Sequence, residues 1–189
     1  MAAPATLTTL DLSGTWIINK SLSNTTEMDK ILQLQGVSWL KRTAISAATI
    51  TLSVKHYKDD AGVEHIDIDQ TLTGGIKGTT ENRTMDWEFR EHADHLFGPV
   101  KGKSRRLVNL DELEHAWHKE GWTPDTAEHG VIESYVESDT PKSKTTWVGH
   151  QTWGFQEIDG VRRYTRHIKF TGPKGEDVQA LMVYDYVSA

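Results

Sequence analysis

The residues best suited to chemistry lie in the last third of the chain, where aromatic and polar side chains share strand faces. From Thr145, one face carries Trp147, Gly149, Gln151, Trp153 and Phe155, and the other carries Val148, His150, Thr152 and Gln156. Arg162, Tyr164, Arg166 and Ile168 have one parity, as do Ala180, Met182, Tyr184 and Tyr186 in the closing segment. Tyr135 alternates with Val131, Glu133 and Glu137. Trp39 lies off the apolar stripe of its helix, and Trp87 shares a face with Met85 and Phe89. Tyrosine and tryptophan offer apolar area with one polar handle. A cavity lined by Trp39, Trp87, Tyr135, Trp147, Trp153, Phe155, Tyr164, Met182 and Tyr186 would orient a flat or polycyclic ligand.

Such a site can catalyse ring closure by holding reacting ends together. A hydrogen bond from Tyr184 or Arg166 to a carbonyl would stabilise developing negative charge, with Gln151 as a further polar contact. His150 or His167 could move a proton, since imidazole titrates near neutrality. Packing in a core competes with ligand contact for any one of these aromatics. Alternation leaves open which face points inward, because both faces mix residue types.

Other chemistries find little footing. His92 and His95, and His115 and His118, are spaced by three, but no H-E-x-x-H pattern and no placed third ligand accompany them. They read as surface histidines, and no metal is expected. There is no G-x-S-x-G elbow, no phosphate loop and no dinucleotide fingerprint, so no cofactor is expected either. A net charge of −6 argues against binding a phosphate backbone. The clusters Lys101, Lys103, Arg105, Arg106 and Arg162, Arg163, Arg166 read as solvated strand faces or turns. The chain has no cysteine, which excludes disulfides and fits a reducing compartment. Met1–Leu10 does not read as a signal peptide, and no run approaches the ~18 apolar residues of a membrane span. A cytoplasmic location is expected, and a homodimer stays open.

The elements that must position these side chains are mostly strands. The length of 189 residues predicts one domain, residues 1–189. A first strand, Leu12–Lys20, precedes a helical stretch over 24–48 that Gly36 divides. Asn24 with Glu27 forms a capping box, and Val37, Leu40, Ala44 and Ile45 give the second helix an apolar stripe. Strands are then predicted over 50–57, 64–73, 76–80, 84–91, 96–108, 131–137, 145–156, 161–170 and 177–187. Glu81–Asn82–Arg83 reads as a turn. An insertion over 109–130 holds a short helix capped by Asn109 or Asp111 and then a loop, Thr123–Gly130. This pattern predicts an all-β fold, an antiparallel up-and-down β-barrel of 9 or 10 strands with a helical hairpin cap after the first strand. A β-sandwich is the rival.

Leu12–Ser13–Gly14–Thr15–Trp16, Asp29–Lys30–Ile31–Leu32, Gly36–Val37, Arg42, Thr79–Thr80–Glu81–Asn82–Arg83 and the closing Val183–Tyr184 resemble segments of the calycins. The likeness is to the intracellular fatty-acid-binding proteins more than to the secreted lipocalins. That family closes on arginine–x–tyrosine, a pair that holds the fatty-acid carboxylate. Aligning Tyr184 puts Met182 at the arginine, and the 109–130 insertion is surplus. The chain also resembles, more loosely, a group of short fungal barrel proteins, some of them linked to natural-product pathways. That resemblance implies a cofactor-free cyclase, isomerase or cycloaddition catalyst acting on a lipophilic small molecule. The alternative is an intracellular carrier of such a compound. The catalytic expectation falls on Tyr184, Arg166, Gln151 and His150.

Overall fold

A computed structural model describes residues 1–189, the side chain of Asp94 excepted. β1 (Gly14–Ile18) leads into α1 (Thr25–Leu34) and α2 (Trp39–Ala47). The chain then runs through β2 (Ile50–Lys58), β3 (Glu64–Leu72), β4 (Ile76–Thr84), β5 (Arg90–Asp94) and β6 (Gly98–Leu107). The insertion that follows contains α3 (Pro124–His129). β7 (Val131–Ser138), α4 (Thr140–Ser143), β8 (Val148–Ile158), β9 (Val161–Thr171) and β10 (Asp177–Ser188) complete the fold. Every ladder is antiparallel, in one 10-stranded sheet ordered β4-β3-β2-β1-β10-β9-β8-β7-β6-β5. The first and last strands lie side by side and the sheet curls into the barrel that the alternation predicts, with its helical hairpin after β1. The seam falls between β4 and β5. Trp87 N donates across it to Ser104 O (2.9 Å), and Arg83 Nη1 reaches the hydroxyls of Ser134 (2.7 Å) and Ser104 (3.2 Å). No helix among the described residues is long and apolar enough to cross a membrane.

Register settles the question that alternation left open. Trp153, Arg166 and Met182 stand in one row across β8, β9 and β10, and Phe155, Tyr164 and Tyr184 stand in the next. These rows pack with Trp16, Leu52, Ile66, Ile68 and Ile132, so their face is the interior. The first strand's glycine–x–tryptophan has a steric cause. Gly14 has φ 132°, and a Cβ there would stand 2.8 Å from Ser188 O. Trp16, fully buried, donates from Nε1 to Leu12 O (3.0 Å). The N-terminal segment closes this end: Ala3 N donates to Arg162 O (2.8 Å), and Ala3, Leu7 and Leu12 pack on the core. At the other end Ile31 of α1 packs on Trp147, Ile168, Phe170 and Val178.

Several local expectations change. Asn24 does not cap α1. Its amide oxygen accepts from Leu181 N (2.8 Å), tying the helix to β10 beyond the reach of β1. Ser38 caps α2, which buries no residue; Leu40 is exposed because its stripe has no partner to pack on. Glu81–Asn82–Arg83 is strand, not turn, and the expected strand over 84–91 gives way to a bend before β5. The insertion holds two 3₁₀ turns, Leu110–Glu112 and Ala116–His118. Asn109 caps the first by accepting from Asp111 N, and the expected loop Thr123–Gly130 contains α3.

The insertion takes over hydrogen bonds that β8 would lack where β7 ends. Thr123 N donates to Phe155 O (2.9 Å), and Phe155 N donates to Thr126 Oγ1 (3.0 Å). Gly154 lets it lie close, since a Cβ there would stand 2.5 Å from Thr126 Cγ2 and 3.0 Å from the Trp122 ring. Gly154→Ala is therefore expected to destabilise the protein by about 1–3 kcal/mol and shift Trp122 emission. Urea unfolding followed by tryptophan fluorescence measures both; a midpoint equal to wild type would contradict the close packing.

Candidate functional site

Midway along the barrel, a polar cluster interrupts the apolar interior. β9 supplies Arg166, 4% exposed, whose Nε donates to the Tyr164 hydroxyl (2.9 Å). Its Nη1 lies 3.5 Å from Glu81 Oε1 of β4. Arg83, two residues along β4, donates from Nη2 (2.7 Å) and Nε (3.0 Å) to Glu81 Oε2. Gln70 of β3 donates to Glu81 Oε1 (3.0 Å). The Trp153 ring lies against both guanidiniums, 3.9 Å from Arg166 Cζ and 4.9 Å from Arg83 Cζ, and donates from Nε1 to Gln151 Oε1 (2.9 Å). Tyr184 stacks on Tyr164 (5.3 Å, 29°) and points its hydroxyl at Met182 Sδ (3.6 Å).

Burial pushes the Glu81 carboxyl up, but Arg83 and Arg166, with hydrogen bonds from Arg83 and Gln70, outweigh it and hold it at about 2. Burial raises the Tyr164 and Tyr184 hydroxyls above the ordinary phenol range, so both are protonated donors at neutral pH. Burial alone would make the Arg166 cation less favourable; the neighbouring Tyr164, Tyr184 and Glu81 oxygens reverse this. The cluster thus holds hydrogen-bond donors in a setting from which water is largely excluded, where they act strongly on a nearby oxygen.

The structure brings Tyr184, Arg166, Gln151, Trp153, Tyr164 and Met182 together on the inner wall. Phe155 and Tyr186 pack beside them around Trp16, and Trp147 stacks on Phe170 nearer α1. Five candidates stand elsewhere. His150 and Tyr135 have the opposite parity to Gln151 and Ser134, and so face outward. With Trp87, Phe89, Lys103 and Glu133 they line an external groove of about 330 Å³. His150 Nε2 there bonds Glu133 Oε1 (2.8 Å), and Lys103 Nζ sits 4.2 Å from the Trp87 ring. Trp39 is exposed on α2 beside Asp29 and Arg42. His167 also faces outward, between Trp117 (4.5 Å) and Trp122 (4.4 Å). Arg166 is not on the solvated face that its arginine cluster suggested. Glu81 and Arg83 were hidden by their turn-like surroundings. Gln70 was signalled by sharing parity with Ile66 and Ile68. Met182 stands directly across from Arg166, so a guanidinium does occupy this level of the barrel, supplied by β9.

His118 corrects the surface reading of the histidines. It is fully buried, and neither ring nitrogen has a hydrogen-bond partner. Burial, then the neighbouring His150, His115 and His167, push its imidazole down to about 3. The folded value lies below the ordinary 6.5, so its contribution is complete above pH 6.5 and lost as pH falls toward 3. Between pH 7 and pH 5, where Glu64 and Glu81 stay ionised, the loss should be about 2 kcal/mol. Urea unfolding at both pH values measures it; burial holds the His167 imidazole down as well, so His118→Leu should remove the His118 share of the slope and leave that of His167. An unchanged slope in the variant would assign the effect elsewhere.

No family model matches the chain. It is 32% identical over 189 residues to the probable pericyclase scpY of Mollisia scopiformis, an alignment covering 98% of this chain and 95% of that protein. It is 27% identical over 194 aligned positions to the pericyclase pydY of an Acremonium species, covering 99% and 97% respectively. Among solved structures it is similar to the fluorescent protein UnaG, with TM-score 0.53, 16% identity, and 93% of this chain and 97% of that chain covered. A variant of UnaG gives TM-score 0.55 at 16% identity, covering 94% and 97%. The UnaG likeness shows the fold alone, a curled antiparallel barrel of calycin-like form. The end-to-end identity with scpY identifies the lineage: the chain belongs to the family of fungal barrel pericyclases to which scpY and pydY belong.

Proposed function

We propose that the protein accelerates a pericyclic ring closure of a lipophilic, conjugated substrate in fungal secondary metabolism, forming a polycyclic product without a cofactor. The observation that carries this reading is the cluster of buried Arg166, Tyr164 and Trp153 with half-buried Glu81, inside a barrel whose sequence aligns throughout with pericyclases. A pericyclic step moves π electrons in a ring and needs no redox centre. Its barrier falls when the reacting ends are held close and when a conjugated carbonyl is polarised. The aromatic wall of Trp153, Tyr164, Tyr184 and Phe155 folds the substrate. Arg166 or Tyr184 donates to the carbonyl oxygen as charge develops there. Met182, with its soft thioether, lets the wall adjust to substrate and product. His150 has no part in this scheme, since it lies on the outer wall.

The test is incubation of the conjugated linear precursor with and without purified protein, following rate and stereoisomer ratio by chromatography. A saturable acceleration with one dominant isomer is expected. Tight binding with unchanged rate and isomer ratio would replace this reading with carriage.

A further inference from the structure

We infer that the ligand of the barrel interior presents a delocalised oxygen anion, which Arg166 receives beside the Trp153 ring. The inference rests on the barrel interior being the ligand site, and does not depend on whether the ligand is transformed there. Arg83 and Arg166 share one carboxylate, Glu81, and their remaining partners are the neutral hydroxyls of Ser104, Ser134 and Tyr164. Gln70, Gln151 and the protonated Tyr184 add no charge. The cluster therefore keeps one positive charge, and at Arg166, its most buried cation, that charge is costly unless an anion faces it.

Geometry assigns that charge to Arg166. Its Nη2 is buried and has no hydrogen-bond partner. Arg83 uses all three nitrogens. Arg162 and Arg163 each have a buried, unpaired Nε, but they differ in kind. Arg162 closes a two-pronged pair with Asp125, from Nη1 at 2.8 Å and Nη2 at 2.7 Å, and Arg163 pairs with Asp185. A planar guanidinium lying on an indole ring suits a flat anion that spreads charge over several oxygens, such as an enolised dicarbonyl or a carboxylate conjugated to the reacting chain.

Two fluorophores with one aromatic skeleton test this: anilinonaphthalene sulfonate, an anion, and phenylnaphthylamine, which lacks the sulfonate. Wild-type protein should bind the sulfonate about tenfold more tightly. Arg166→Met should abolish that preference while the variant still binds phenylnaphthylamine and keeps a wild-type near-ultraviolet circular dichroism spectrum. Glu81→Gln, by adding positive charge, should widen the preference. Equal affinities in wild type, or a preference that survives Arg166→Met, would overturn the inference. A sulfonate preference in a protein that leaves the conjugated precursor unchanged would uphold the anion site and reject only the catalytic reading.

Discussion

Arg166→Met should lower the rate of ring closure by about two to three orders of magnitude, the usual effect of removing one preorganised donor from developing charge. Methionine keeps the length of the side chain and packs against Trp153, but offers nothing to a carbonyl oxygen. The loss should appear in kcat more than in KM if the hydrogen bond strengthens in the transition state. Some loss of stability will accompany it, because Tyr164 and Glu81 each lose a contact. Arg83 still holds Glu81, so folding should persist. Single-turnover kinetics on protein with wild-type near-ultraviolet circular dichroism separates the two effects. A fully folded variant with a wild-type rate would remove Arg166 from the chemistry.

The largest stability effect should come from Trp16→Ala. The ring is fully buried, 5.2 Å from both Tyr164 and Tyr186 and 6.0 Å from Phe155. Truncation leaves a cavity at the closed end and removes the donor to Leu12 O. The expected cost is about 3–5 kcal/mol, a large part of the stability of an ordinary domain. Urea unfolding would record it as a fall in midpoint. A loss below about 1 kcal/mol would mean that the wall collapses around the gap. Because Tyr164 bonds Arg166 and packs on Trp16, the damage should also reach the polar cluster around Arg166.

The barrel was legible because its signals are local. A period of two over long runs, turn residues between them and one helical interruption near the start admit few other architectures. Tyr184, Arg166 and Gln151 were legible as candidates for a similar reason, since each shares a strand face with aromatic or apolar neighbours. Glu81 and Arg83 were not. A run of threonine, glutamate, asparagine and arginine has the composition of a turn, and only pairing with β3 makes it strand. His118 misled in the opposite direction. Its helix-like, charged surroundings read as solvent-facing, yet the insertion folds back over β8 and seals the ring.

Taken by itself, the sequence determined the fold class, the helical hairpin, the Gly14–Trp16 start and a short roster of inner-wall candidates. These rest on backbone periodicity and side-chain size, which neighbouring residues already encode. The tertiary structure decided which face of each strand is inside, and hence that His150, Tyr135 and Trp87 stand on the outer wall. It also decided that a carboxylate of β4 meets an arginine of β9. That encounter depends on the curl of the sheet and the register of several ladders, which no single segment of the chain specifies.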